Sequence, residues 1–175
     1  MNLLKTRVQQ VDTELFIWCQ KKFCRRSFYP IVRAVSASGD GWLYAVIACG
    51  MLTTNSAIGF EFFMACLFGF SLEVPIYIFL KNKFKRNRPA DTLQGFIAKI
   101  KPSDKFSFPS GHTAAAFVML VQIGIFCPSF ALLASIWACA IGISRIALGV
   151  HFPGDILAGA LVGTLCGFIA YGLAV

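Results

Sequence analysis

The two histidines of the sequence stand where they could do chemistry, each at the predicted end of an apolar segment. His112 follows Pro109-Ser110, a pair typical of a helix start, so backbone N–H groups and the positive end of a helix dipole lie beside it. His151 precedes Asp155 by four residues across a Pro-Gly turn, and that carboxylate can accept the imidazole N–H and fix its tautomer. An oriented imidazole with its other nitrogen available is a nucleophile or a base.

Three fixed cations accompany the histidines. Lys81 ends one apolar segment, Arg88 follows it seven residues later, and Arg145 ends another apolar segment. The planar guanidinium of Arg matches two phosphate oxygens at once, and Lys adds a compact charge. Two histidines, a helix N-terminus and three cations therefore predict a phosphate-ester site. One histidine can attack phosphorus while the other protonates the leaving alkoxide.

These residues fall into three linked motifs. The motifs are Lys81-x6-Arg88-Pro89, Pro109-Ser110-Gly111-His112 and Ser144-Arg145-x5-His151-x3-Asp155. Together they resemble the three-part signature of the type-2 phosphatidic acid phosphatase family, which shares its site with vanadium haloperoxidases and glucose-6-phosphatase. The resemblance spans residues 81–155, and no motif position departs from the pattern. The Pro-Ser-Gly-His motif alone would be a weak signal, whereas three linked motifs are a strong one.

The resemblance implies a role for each motif residue. His151 would be the nucleophile that forms a phosphohistidine, Asp155 would orient it, and His112 would be the general acid for the leaving group. The groups implied to hold the phosphoryl oxygens and neutralise charge in the transition state are Lys81, Arg88, Arg145, Ser110 and the Gly111 backbone amide. The family's chemistry needs no metal or other cofactor. The sequence agrees with this, because it shows no plausible cluster of metal ligands near these residues.

The composition indicates that lipid is the solvent of this chain. Hydrophobic residues make up 57% of the 175 residues and charged residues only 14%, and the mean hydropathy is +0.70. A soluble domain carries about a quarter charged residues. A disordered chain, a collagen-like or coiled-coil rod and a conventional water-soluble domain are therefore excluded.

Five apolar segments are long enough to cross a bilayer, which takes roughly 20 mostly apolar residues. The predicted spans are 41–60, 62–80, 110–126, 129–147 and 155–175, with a tight turn at 55–61 between the first two. A basic loop at 81–105 separates the second span from the third. We therefore expect a single-domain, all-α membrane helical bundle over residues 1–175. It has five spans, or six if the N-terminal helix also crosses.

An amphipathic helix lying in the membrane interface is predicted for residues 8–28. Apolar residues recur there at helical spacing: Val8, Val11, Leu15, Trp18, Cys19 and Phe23. Three basic residues would lie near lipid headgroups: Lys22, Arg25 and Arg26. A helix packed on the protein's own core is the alternative. No cleavable targeting signal is expected, because polar residues follow Lys5 and Arg7 where an apolar stretch would be needed.

The charge of the chain is one-sided. Sixteen basic residues against eight acidic ones give a net charge of +8, which in so apolar a chain favours anionic lipid headgroups as partners over nucleic acid. With five spans, all sixteen basic residues lie on the side of the 81–105 loop and the 149–153 turn, or at its edge. The positive-inside rule places that side in the cytoplasm. The resemblance to bacterial enzymes of envelope lipids implies the periplasmic face of the inner membrane, which we favour.

The other polar residues of the sequence receive structural interpretations. Glu73 is expected to pair within the bundle near a kink at Pro75 instead of relaying protons. Asp40 is expected to cap the first span. Basic residues between and after the motifs are expected to attract headgroups: Lys83, Lys85, Arg86, Lys99, Lys101 and Lys105. The seven scattered cysteines are expected to be small buried hydrophobes, neither a disulfide framework nor a zinc site.

The resemblance implies a membrane lipid phosphatase. Its candidate substrates are undecaprenyl diphosphate, which we favour, phosphatidylglycerophosphate, phosphatidic acid and the lipid A 1-phosphate. A phosphotransferase using the same phosphohistidine remains open, as does a non-enzymatic lipid-binding membrane protein. A haloperoxidase does not fit, because those relatives are soluble. The sequence does not predict an oligomeric state.

Overall fold

The computed structural model describes residues 2–23, 26–54 and 56–175, and these residues form helices joined by turns and loops. The helices are α1 (Asn2–Phe23), α2 (Tyr29–Ala37), α3 (Trp42–Leu52), α4 (Ala57–Phe84), α5 (Pro89–Thr92), α6 (Gly111–Phe126), α7 (Ala131–Ala147) and α8 (Pro153–Ala174). Short 3-10 turns lie at Arg26–Phe28 and Pro128–Phe130. No strand occurs in the described residues, and the all-α prediction is confirmed.

The centre of the bundle is formed by α4, α6, α7 and α8, with α6 packed against all three of the others. Small residues allow the close approach of α6 and α8. A Cβ atom added at Gly159 would lie 2.5 Å from the Ser110 carbonyl oxygen, and one added at Gly167 would lie 2.8 Å from the Val121 side chain. Glycine removes the bulk that would hold the two backbones apart. This contact sets the N-terminus of α6 beside the N-terminus of α8.

The last three predicted spans match α6, α7 and α8, but the first two are placed differently from the prediction. The window 41–60 contains the whole of α3, a turn and the start of α4, because the Ser56 hydroxyl caps α4 by accepting from Gly59 N–H at 3.0 Å. The first apolar unit is instead α2 and α3 together, bent by 48°. Asn55, at the start of the predicted 55–61 turn, lies outside the described residues.

Length and hydropathy support a membrane protein. Three segments of the described chain are long and apolar enough to cross a bilayer: Ala57–Thr92, Pro128–Ala147 and Pro153–Ala174. The bent pair of α2 and α3 adds a fourth, and the apolar α6 is shorter, with 16 residues. The predicted helical membrane bundle is therefore confirmed.

The N-terminal helix α1 has features of both alternatives considered for residues 8–28, a helix in the membrane interface and a helix packed on the protein's own core. One face packs on the bundle, where Asp12 and Phe16 are buried and the Phe16 ring meets the edge of Phe152. The predicted apolar stripe points elsewhere, since Val8 and Val11 remain exposed. An exposed apolar stripe on a helix docked at the end of a bundle fits the membrane interface. The helix begins before residue 8 and ends at Phe23; Arg25 and Cys24 lie outside the described residues.

The expectation for the cysteines holds only in part. Cys66 and Cys166 are buried, whereas Cys49 and Cys139 are exposed on helix surfaces. None of the six described cysteines forms a disulfide. An apolar chain in lipid can place a small apolar side chain on its outer surface, so the apolar context of these residues did not predict burial.

Candidate active site

Four helix ends meet at one end of the bundle: the C-termini of α4 and α7 and the N-termini of α6 and α8. They surround a cavity of about 610 Å³. Five of the predicted site side chains line this cavity, and they are Lys81, Arg88, His112, Arg145 and His151. The fold thus brings together groups that are separated by up to 70 positions in the sequence.

His151 lies in the turn between α7 and α8, next to Asp155 in the first turn of α8. The His151 Nδ1 atom faces Asp155 Oδ2 at 3.6 Å, an ion-pair distance that is too long for a hydrogen bond. Nδ1 has no other partner among the described residues, and both side chains are almost fully buried. Asp155 is itself held by the Phe152 N–H, which donates to Oδ2 at 2.9 Å. The carboxylate is therefore fixed on the Nδ1 side of the imidazole.

Burial keeps His151 neutral. It lowers the pKa of His151 from 6.5 to about 4, with Arg88 and Arg145 acting in the same direction and Asp155 opposing them. A neutral imidazole has the lone pair that a nucleophile needs. Because the pKa is depressed, the nucleophilic form persists below pH 6.5 and is lost only as pH falls toward 4.

The pH profile of catalysis is expected to show this depressed pKa. We predict that kcat/KM, corrected for the separately titrated ionisation of the substrate phosphate, shows no loss between pH 7 and about pH 5. The measurement is initial-rate phosphate release over pH 4–8 in detergent. An acid limb with its midpoint at or above pH 6.5 would contradict a buried neutral His151.

Arg86 has a structural role, and the headgroup attraction predicted for it is wrong. Its Nη1 donates to Asp155 Oδ1 at 2.8 Å, and its Nη2 donates to Asp12 Oδ2 at 2.6 Å. Asp12 Oδ1 also accepts from the Gly154 N–H at 2.7 Å. Arg86 therefore ties α1 to the carboxylate behind His151. A guanidinium with two carboxylate partners is engaged inside the protein, so it does not serve headgroup attraction.

Replacing Arg86 should impair catalysis because Asp155 would lose a charged partner in a buried position. We expect Arg86→Met to lower kcat by about tenfold or more, in line with the loss of a buried group that orients a catalytic residue. Lys83→Met is the matched control, because it removes one exposed positive charge from the same stretch. Equal effects of the two substitutions on phosphate release would show that only net charge matters.

His112 lies in the first turn of α6 and pairs with an acidic residue that also lines the cavity. Its Nε2 is 2.8 Å from Asp40 Oδ1. Asp40 lies in the break between α2 and α3, and the N-cap position of α3 is Gly41 with no side-chain hydrogen bond. The cap predicted for Asp40 is therefore wrong. Asp40 supports the protonated ring that a general acid requires, against the opposing effects of burial and of the Arg145 charge.

Lys81 and Arg88 converge on a residue that the motifs do not contain. Asp104 accepts from the Lys81 ammonium through Oδ2 and from Arg88 Nη2 through Oδ1, the latter at 2.5 Å. Arg88 also donates to the Val150 carbonyl at 2.6 Å, next to His151. Burial alone would raise the pKa of Asp104, but Lys81 and Arg88 hold it below its ordinary value. The two cations thus already bind an oxyanion at this point.

Asp104 should compete with a phosphate for the same cations. We expect Asp104→Asn to lower KM by about two- to fivefold, because a partly exposed ion pair contributes a modest free energy. Asp91→Asn, an exposed acid in the same loop, is the control. The check is a substrate titration at constant ionic strength. A KM that rises instead would show that Asp104 positions the two cations for the phosphate.

Arg145 and the start of α6 complete the cavity wall. Arg145 Nη1 donates to the Ser36 hydroxyl at 2.6 Å, and its buried Nε has no partner among the described residues. Gly111 lines the cavity at the N-terminus of α6. Ser110 is fully buried, and its hydroxyl caps α6 by accepting from Thr113 N–H at 3.4 Å. Its contact with phosphate stays a prediction, while its cap holds the Gly111 amide in place.

The basic loop contributes to structure as well as to charge. Lys99 donates through its ammonium to the Ala147 carbonyl at 3.0 Å, and Gln20 of α1 donates to the Ile146 carbonyl at 2.6 Å. These bonds satisfy carbonyls in the last turn of α7, so Lys99 has a structural role in addition to the predicted headgroup attraction, which stays a prediction. Lys101 lines the cavity. In the described ranges, no group of three or more His, Cys, Asp or Glu side chains is arranged to hold a metal ion.

Comparison with known proteins places this geometry in a family. Residues 45–174 match the family model described as PAP2 superfamily. The chain is 33% identical over 104 residues to phosphatidylglycerophosphatase B of Bacillus subtilis, covering 53% of this chain and 48% of that protein. It is 33% identical over 76 residues to the undecaprenyl-diphosphatase of Sulfolobus acidocaldarius, covering 43% of this chain and 36% of that protein. The chain thus spans less than half the length of these curated relatives.

A solved structure extends the likeness to the whole bundle. The crystal structure of Aquifex aeolicus LpxE has a TM-score of 0.79 and 27% sequence identity, covering 91% of this chain and 93% of that chain. The family match includes all three motifs and covers the four helix ends that surround the cavity. The chain belongs to the PAP2 superfamily.

Proposed function

We propose that this chain is a membrane lipid phosphatase that cleaves a phosphate ester through a phosphohistidine on His151. The observation that carries the proposal is the cavity that brings together a buried neutral His151, His112 and the three cations of the motifs, Lys81, Arg88 and Arg145. The names of the relatives, a phosphatidylglycerophosphatase and an undecaprenyl-diphosphatase, support a lipid phosphate or diphosphate as the substrate.

The geometry supports a two-step reaction. In the first step Nε2 of His151 attacks phosphorus, a P–N bond forms, and the P–O bond to the leaving group breaks. His112 gives its proton to the departing oxygen. In the second step water attacks the phosphohistidine, His112 takes a proton from that water, and the P–N bond breaks to release phosphate and neutral His151. Each step conserves the protons because His112 returns to its protonated form.

Charge in the transition state is neutralised by the cavity wall. The phosphoryl oxygens carry the developing charge, and Lys81, Arg88 and Arg145 face the cavity where those oxygens bind. The Gly111 N–H adds a backbone donor at a helix N-terminus. These groups are held before substrate arrives by Asp104, the Val150 carbonyl and Ser36. Such preorganisation stabilises the transition state with little rearrangement.

The substrate reaches this site from the membrane. The apolar helices hold the protein in a bilayer, so a lipid headgroup lies at the level of the cavity while its tail stays among the spans. We place the protein in the bacterial inner membrane with the site on the periplasmic face, although the basic residues gather on that side. Cysteine labelling at Gln94 and a reporter fused to the C-terminus test this: periplasmic labelling at Gln94 supports it, and cytoplasmic labelling overturns it.

The decisive experiment is a phosphate-release panel in detergent against the four candidate lipid phosphates, with EDTA present. We expect release that persists in EDTA, is inhibited by vanadate, and is lost in His151→Ala. Loss of wild-type activity in EDTA would contradict a mechanism carried by the histidines alone. Recovery of all the phosphate as inorganic phosphate distinguishes hydrolysis from transfer to a second lipid.

A further inference from the structure

The cavity has an acidic end as well as a cationic one. Glu73, Tyr77 and Lys81 follow one another at intervals of four residues on α4, so they share one face of the helix, and all three line the cavity. At about 1.5 Å of rise per residue, Glu73 lies roughly 12 Å further along α4 than Lys81 and roughly 6 Å further than Tyr77. The cavity therefore extends from the phosphate cations to a carboxylate two helical turns away.

The general acid stands between these two ends. A Cβ atom added at Gly111 would lie 3.3 Å from the Tyr77 ring, which places the start of α6 at the level of Tyr77. His112 is the next residue and also lines the cavity. Glu73 lies one turn beyond that level, on the side away from Lys81. A leaving group that takes its proton from His112 therefore extends toward Glu73.

Glu73 has no hydrogen-bond partner of its own to explain its position. Its residue is 2% exposed, and its Oε1 has no partner among the described residues. The ion pair within the bundle that the sequence suggested is absent from the described residues. A carboxylate in an apolar span is costly unless a donor satisfies it. A donor carried by the substrate would remove this cost when it binds.

We propose that Glu73 accepts a hydrogen bond from the leaving group of the substrate, from a hydroxyl or amide N–H about two to four bonds beyond the leaving oxygen. This subsite rests on the proposed phosphatase function and narrows its substrate class. It favours phosphomonoesters of neutral, hydroxylated alcohols. A diphosphate presents a second phosphate to this end of the cavity, where the acidic groups Glu73 and Asp40 supply no positive charge to neutralise it.

A matched pair of substrates tests the hydrogen bond. The probes are oleoyl lysophosphatidic acid, which has a hydroxyl on the carbon next to the phosphate-bearing carbon, and its 2-deoxy analogue. We expect the wild type to prefer the hydroxylated compound by about tenfold or more in kcat/KM, as for a hydrogen bond to a charged group. Glu73→Leu should bring this ratio close to one. Because both rates come from one sample, the ratio is independent of the folded fraction.

Two further arms sharpen the test. Glu61→Leu makes the same change near the opposite end of α4 and should keep the wild-type ratio. Glu73→Gln replaces the acidic group with a neutral amide that carries N–H donors for phosphate, so it should raise the rate with farnesyl diphosphate relative to lysophosphatidic acid by several-fold. A substrate ratio and a diphosphate rate that are unchanged in both Glu73 variants would overturn the subsite. Absence of phosphate release from every probe by the wild type would instead overturn the proposed function.

Discussion

His151→Asn is expected to reduce phosphate release by about 10⁴-fold or more, because the proposed mechanism forms its covalent bond to phosphorus on His151. Asparagine keeps a polar group of smaller size beside Asp155, so the buried carboxylate is not left against an apolar surface. The remaining rate would come from binding by the three cations alone. The measurement is single-turnover release of phosphate in detergent, with enzyme in excess over substrate.

The loss of activity in His151→Asn can be attributed to the missing imidazole only if the variant is folded. Thermal unfolding and gel filtration of His151→Asn should match those of Cys139→Ser, which changes an exposed residue on the surface of α7. If the folded variant keeps activity within tenfold of the wild type, His151 is not the nucleophile. Another group would then have to be the nucleophile.

His112→Ala is expected to lower kcat by about 10²- to 10⁴-fold, the range over which a positioned proton donor accelerates a reaction. The effect should depend on the leaving group. A lipid alcohol needs a proton as its bond to phosphorus breaks, whereas p-nitrophenolate leaves as a stable anion. In His112→Ala the formation of the phosphoenzyme from p-nitrophenyl phosphate should therefore be affected much less than its formation from the lipid substrate.

Rapid mixing measures this difference as the burst of p-nitrophenol. His112→Ala should keep a burst close to the enzyme concentration and then turn over slowly, because the second step lacks its base. Asp40→Asn should show a weaker form of the same pattern, since it removes only the charge paired with His112. Equal losses with both substrates would indicate that His112 binds the phosphate and does not transfer a proton.

The local sequence was sufficient to predict the motif residues and most of the helices. The five cavity residues of the motifs could be predicted because they lie at the ends of apolar segments or in the loops that join them on one side of the membrane: Lys81, Arg88, His112, Arg145 and His151. Their convergence on one cavity follows from that topology. The close packing of α6 on α8 was not predicted, although the glycines that permit it repeat at intervals of four residues.

The acidic partners were missed because long-range contacts set them. Asp40 meets His112 across 72 positions, and Arg86 meets Asp12 across 74. No local pattern around Asp40 distinguishes a helix cap from a partner of histidine. One signal was available: only eight acidic residues accompany sixteen basic ones. In an apolar chain each acidic residue away from the surface needs a cation or a donor, so these few residues were candidates for the site.

The first span was misplaced for a different physical reason. Hydropathy averages over a window and does not register where a helix ends, so the apolar residues on both sides of the Ser56 cap merged into one predicted span. The true break, between α2 and α3, lies at Ser38-Gly39-Asp40-Gly41. Gly41 has a φ of +101°, a value that favours glycine and interrupts a helix. This break is what carries Asp40 to His112.

The most direct test of the phosphohistidine mechanism is to trap the phosphorylated protein and locate its phosphate. Wild-type protein is mixed with ³²P-labelled substrate in EDTA, quenched in base within the first turnover, digested, and mapped by mass spectrometry. A phosphohistidine on His151 predicts a label that is stable in base, labile in acid, and confined to the peptide containing His151, with none in His151→Asn. A label on another residue, or rapid turnover with no labelled protein at any quench time, would contradict it.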